Sequence, residues 1–115
     1  MEVHPGIFIS TVDTADWEPD PDVGGEMHVL IDGEDGYAGM SRFDATSVVG
    51  PWTVPLRETF VVLEGAARLE IDGAPSVDLA VGSIASIPAG SVATWRLTQL
   101  PYRELWFFAR TLADE

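Results

Sequence analysis

The sequence predicts an all-β, single-domain protein built as an antiparallel sandwich or barrel, and three observations carry that expectation. Short apolar runs with period-two alternation recur along the chain, separated by Gly, Pro and Asp-Gly turn signals at spacings of about eight to twelve residues. No stretch sustains the roughly 3.6-residue period of an amphipathic helix. The 115 residues are 46% hydrophobic with 11 Gly and 8 Pro, which suits one turn-rich folded core rather than two domains or a disordered chain.

Taken in order, the elements are as follows. Residues 1–25 read as an irregular N-terminal arm, because "STVDTADWEPDPDVGG" is acidic and rich in Pro and Gly. The barrel is expected over 26–110. "EMHVLIDG" (26–33) alternates Met27, Val29 and Ile31 against His28 and Asp32, as a half-buried strand does. "YAGMSRFDA" (37–45) is a further strand, and "GPWTVP" (50–55) is extended because each Pro restrains the residue before it. "ETFVVLEG" (58–65) and "AARLEIDG" (66–73) read as a hairpin-like pair with Gly65 at the junction. "SVDLAVG", "SIASIPAG", "SVATWRLT" and "YRELWFFAR" complete the series, and 111–115 form a tail.

Composition removes several functions. Nineteen acids against six Arg, with no Lys, leave a net charge of −13, which repels nucleic acid and anionic membrane surfaces. Without Cys there is no disulfide, thiolate nucleophile or zinc–sulfur site, and without Lys no Schiff base. No apolar run reaches the roughly 18 residues of a membrane span, and "MEVHPGIFIS" lacks the basic start and apolar stretch of a signal peptide, so a soluble cytoplasmic protein is expected. The only imidazoles are His4 and His28. No dinucleotide loop, P-loop, nucleophile elbow, EF-hand or zinc-protease motif occurs.

One acid stands out: Glu58 opens the apolar run "TFVVL". Glu58 and Gly65 have the Glu-x6-Gly spacing that ends the first motif of the cupin superfamily, and Gly82, Pro88 and Gly90 have the Gly-x5-Pro-x-Gly spacing that begins the second. Over residues 50–108 the chain therefore resembles a cupin, which implies a jelly-roll-like β-barrel and, by family habit, a homodimer. "PAG" (88–90) followed by Trp95 and the closing "YRELWFF" is similar to the small branch related to ureidoglycine aminohydrolase. Metal-binding cupins carry His-x-His ahead of the Glu and a later His and Asn; the matching positions here are Trp52, Val54, Ala93 and Leu97. None of these side chains replaces a lone pair from imidazole, so no metal and no other cofactor is expected.

If Glu58 points into the barrel, period-two alternation turns Phe60 and Val62 inward with it, Trp52 and Val54 share the phase, and Ala93 and Trp95 face them. The result is an aromatic-lined pocket for a small molecule, with Arg42 as the expected partner of Glu58, Arg103 behind it, and Arg57 turned outward. Three functions compete. A metal-independent enzyme would use Glu58 as general acid or base in an isomerisation, cyclisation, lyase or hydrolysis reaction. A non-catalytic binding or sensor protein would use the same pocket, and a metal-dependent aminohydrolase would need ligands that the motif lacks.

Overall fold

The computed structural model describes residues 1–110; the expected tail at 111–115 lies outside the described residues. Every paired strand is antiparallel and no helix occurs among the described residues, as the sequence leads one to expect. The strands are β1 (Glu2–His4), β2 (Ile7–Phe8), β3 (Glu18–Pro19), β4 (Glu26–Asp32), β5 (Gly36–Phe43), β6 (Val48–Thr53), β7 (Glu58–Ile71), β8 (Val77–Leu79), β9 (Ile84–Ile87) and β10 (Val92–Ala109).

Two long strands organise the fold. The first half of β7 pairs with β9 and with the second half of β10; that half of β10 pairs with β5, β5 with β4, and β4 with β3. The second half of β7 pairs with β8 and with the first half of β10, which carries β6 on its other side. Each long strand therefore serves both layers of a jelly-roll-like barrel, and the core fills the space between them.

The expected hairpin at Gly65 is instead a bend within one continuous strand. Gly65 adopts φ +81°, and a Cβ there would fall on the carbonyl oxygens of Gln99 and Pro101 in the facing strand. Opposite it, the β10 register shifts between Leu97 and Arg103. The extra residues reset which parity points inward: Glu58, Phe60 and Val62 are buried before the bend and Ala67 and Leu69 after it. On β10 Ala93, Trp95 and Leu97 give way to Tyr102, Glu104, Trp106 and Phe108. A bulge on each strand thus keeps one apolar face inward through the corner.

The N-terminal arm is also more ordered than its composition suggests. β1 and β2 form a small hairpin, β3 pairs with β4, and the intervening segment lies against the outer face of the sheet. There the His28 ring meets Ser10 Oγ at 2.8 Å and the Asp16 carbonyl at 2.7 Å, and an Arg103 guanidinium N–H donates to the Val12 carbonyl at 2.6 Å. β4 keeps the expected phase only from Met27, which lines the cavity, to Val29; a register shift between Val29 and Ile31 pairs Asp32, not Ile31, with the cavity residue Tyr37. The other face of β4 is covered by the arm, which is why His28 is buried. No helix of the described residues is long and apolar enough to cross a membrane.

Candidate functional site

The interior is not filled to one end. A cavity of about 270 Å³ opens between the layers, walled by Tyr37, Trp52, Trp95, Trp106 and Phe108. Four of these rings form a connected set: Tyr37 to Trp106 at 4.9 Å between centroids, Trp106 to Phe108 at 5.5 Å, and Trp52 edge-on to Phe108 at 6.0 Å. Trp106 is fixed in place because its indole N–H donates to Ser41 Oγ at 2.8 Å.

Two carboxyl groups enter this apolar space. Glu58 begins β7 and Glu104 lies on β10; they are 4% and 5% exposed. On the ladder Glu58 faces Phe108, Phe60 faces Trp106, and Val62 faces Glu104. The two acids are thus four ladder positions apart on neighbouring strands, and their carboxyl groups are close enough that the charge of Glu104 acts on Glu58. Glu104 accepts a hydrogen bond from the Tyr102 hydroxyl at 2.9 Å. Glu58 Oε1 is buried with no partner among the described residues, as is the Trp95 indole N–H.

These surroundings separate the acids electrically. Burial pushes Glu58 up to about 9, and the charge of Glu104 adds to the shift. Glu104 is raised by burial to about 7, held down by the hydroxyl of Tyr102. Tyr102 is itself raised, by burial first and then by the Glu104 charge. Both acids are thus biased toward their protonated forms, Glu58 by burial and by the Glu104 charge, and Glu104 by burial against the Tyr102 hydrogen bond, which favours its carboxylate. At the cavity edge stand Asp20, Asp22 and Arg110. Arg110 is engaged by the Asp32 carboxylate at 2.9 Å and the Gly33 carbonyl, and lies over the Tyr37 ring at 5.0 Å.

The expected site residues divide into three groups. Glu58, Trp52 and Trp95 do border the cavity. Val54, Phe60, Val62 and Ala93 point inward as the alternation requires, but at 0–1% exposure they are packed core and off the cavity wall. Arg42 is not the partner of Glu58. Its neighbours Ser41 and Phe43 face the cavity, so strand parity turns Arg42 to the outer face. There Arg42 Nε donates to Glu26 Oε1 at 3.0 Å and its guanidinium covers the Trp17 ring at 4.3 Å. Arg103 lies on the same outer face beside Glu64 at 3.7 Å, and Arg57 points outward to Ser86.

Glu104, Tyr102, Trp106 and Phe108 were missed by the sequence reading. The signal was present in "YRELWFF", where these four alternate with Arg103, Leu105 and Phe107. The phase argument applied to Glu58 would have found them.

The residues do not fit the metal ion of metal-binding cupins. Trp52, Val54, Ala93 and Leu97 occupy the ligand positions, and no group of three or more His, Asp or Glu among the described residues is arranged to hold a metal. His28 serves the outer face, with both ring nitrogens engaged.

Comparison with known proteins agrees with this architecture. Residues 32–103 match the family described as the EutQ-like cupin domain, so the chain belongs to that family of cupins. The fold is similar to KdgF from Halomonas sp., at 20% identity over 93% of this chain and 96% of that one, with a TM-score of 0.70. An RmlC-like cupin from Shewanella frigidimarina superposes at TM-score 0.72, with 17% identity over 91% and 92% of the two chains. The ethanolamine utilization protein EutQ of Salmonella typhimurium is 26% identical over 78% of this chain and 71% of its own, with a TM-score of 0.63. No curated protein matches the chain.

Proposed function

We propose that this EutQ-like cupin is a metal-independent enzyme that shifts a proton within a small molecule, with Glu58 as general acid and Glu104 as general base. The observation that carries the reading is the pair of buried carboxyl groups on one aromatic cavity, one without any hydrogen-bond partner at Oε1. Two acids whose surroundings push their ionisation apart are the arrangement acid–base catalysis needs. Glu104 as carboxylate takes a proton from carbon or a hydroxyl of the substrate. Glu58 delivers its own proton to a carbonyl oxygen or leaving group elsewhere on the same molecule. Both carboxyl groups then return to their starting states by exchange with solvent. Isomerisation, cyclisation and elimination share this requirement.

The cavity, about 270 Å³ and lined mainly by apolar and aromatic side chains, suits a small-molecule substrate rather than a polymer. The resemblance of Pro88–Gly90 and Trp95 to ureidoglycine aminohydrolase-like cupins does not extend to a metal ligand set, and the metal-dependent reading is not adopted.

The test is to incubate small carbonyl and hydroxy compounds with the protein in deuterated water and follow incorporation by NMR. Wild type should label at least one compound class, and Glu58→Gln, refolded to the same spectrum, should label it at least a hundredfold more slowly. Saturable binding of such compounds without exchange or conversion would make the protein a binding or sensor cupin and end the catalytic reading.

A further inference from the structure

We propose that the cavity is selective for a small organic cation, an amine or quaternary ammonium group, held between its aromatic walls and the Glu104 carboxylate. The proposal deepens the reading above, since it takes the same cavity as the substrate site. Of the charged side chains that border the cavity, Asp20, Asp22, Glu58 and Glu104 are acidic, and Arg110 alone is basic. Arg110 is already matched by Asp32. The other Arg residues near this end, Arg42 and Arg103, are tied to Glu26 and Glu64 on the outer face. The two inner carboxyl groups therefore have no cationic partner from the described chain. A carboxylate buried without a counter-ion is costly, and a ligand that supplies the missing charge removes that cost.

The walls point the same way. Tyr37, Trp52, Trp106 and Phe108 form one contiguous ring set, and aromatic faces attract a cation most strongly where water is excluded. The chain already shows such a contact at the cavity edge, where the Arg110 guanidinium lies over Tyr37. An anionic ligand would meet the Glu104 carboxylate and the edge aspartates with no cationic side chain free to receive it. A neutral ligand would leave the charge of Glu104 uncompensated.

Three unreactive probes of similar shape test this: tetramethylammonium, tert-butanol and pivalate, titrated against tryptophan fluorescence of the whole protein. Tetramethylammonium should bind at least tenfold more tightly than tert-butanol at pH 8, and pivalate should be weakest. Its affinity should rise about tenfold from pH 6 to pH 8 as Glu104, raised to about 7, ionises in the presence of Glu58, Tyr102, Asp20, Asp22 and Arg110. Glu104→Gln should erase the preference over tert-butanol, and Trp52→Leu, on the half-buried rim, should weaken the cation more than the alcohol. Equal or tighter binding of tert-butanol or pivalate, a loss of cation affinity with rising pH, or no binding of any probe overturns the proposal. Cation binding without any turnover would sink only the catalytic reading. Turnover of a neutral or anionic substrate, unaffected by tetramethylammonium, would sink only this one.

Discussion

Replacing Glu58 by Gln should make the protein more stable than wild type in mild base. In the folded chain Glu58 holds its proton up to about pH 9, whereas in the unfolded chain it ionises near the ordinary 4.5. Between those values the native state binds the extra proton, so stability is fully present below the unfolded pKa and is lost as pH rises toward 9. The loss is about 1 kcal/mol per pH unit for one such group, or on the order of 2–3 kcal/mol from pH 6 to pH 8. Glu104, raised to about 7, adds a second slope of the same sign that fades above that pH and is common to both proteins. Gln keeps the size of the protonated acid without the titration, so at pH 6 the two should agree within about 1 kcal/mol. At pH 8 the variant should then exceed wild type by about 2 kcal/mol. Urea unfolding at pH 6, 7 and 8 in about 0.15 M salt measures the difference; salt screens surface charge and leaves the buried group largely unaffected. Stability curves for the two proteins that run parallel from pH 6 to pH 8 would refute the reasoning, because Glu58 would then be ionised in the native state.

Tyr102→Phe removes the donor that favours the Glu104 carboxylate, so the Glu104 pKa should climb by about one unit or more, for a charged hydrogen bond worth about 1.5–3 kcal/mol. Carbon-13 NMR of labelled Glu side chains would register it, and an unchanged midpoint would break the assigned link between the two residues. Gly65→Ala should cost at least about 2 kcal/mol in urea unfolding, because φ +81° disfavours a Cβ that must also displace the Gln99 and Pro101 carbonyls. A cost near zero would mean that the corner is not tight. Arg42→Ala should lower stability by about 1 kcal/mol or less through Glu26 and Trp17 while leaving the Glu58 titration in place. A Glu58 midpoint that shifts in this variant would restore the ion pair expected from sequence. Purified protein should carry no stoichiometric transition metal by elemental analysis, and a chelator should leave its melting temperature unchanged; about one metal per chain, lost in Glu58→Ala, would contradict the donor chemistry.

The sequence by itself determined the all-β class, the cupin spacing of Glu58, Gly65, Gly82, Pro88 and Gly90, and the inward phase of Glu58 with Phe60 and Val62. Those follow from local rules: turn residues mark strand ends, and a strand alternates its faces over any run without a bulge. Tertiary structure decided what depends on pairing. Gly65 looked like a hairpin turn because a glycine with positive φ reads alike in a turn and in a bulge, and only the facing Gln99 and Pro101 carbonyls distinguish them. Arg42 looked like the partner of Glu58 because opposite charges suggest a pair, but the parity set by Ser41 and Phe43 turned it to Glu26 and Trp17. Val54, Phe60, Val62 and Ala93 share the phase of Glu58 yet are packed core, since alternation gives direction and not depth. Glu104, 46 residues after Glu58 in sequence, became its companion only because β10 runs antiparallel beside β7 and turns the same face to the same cavity.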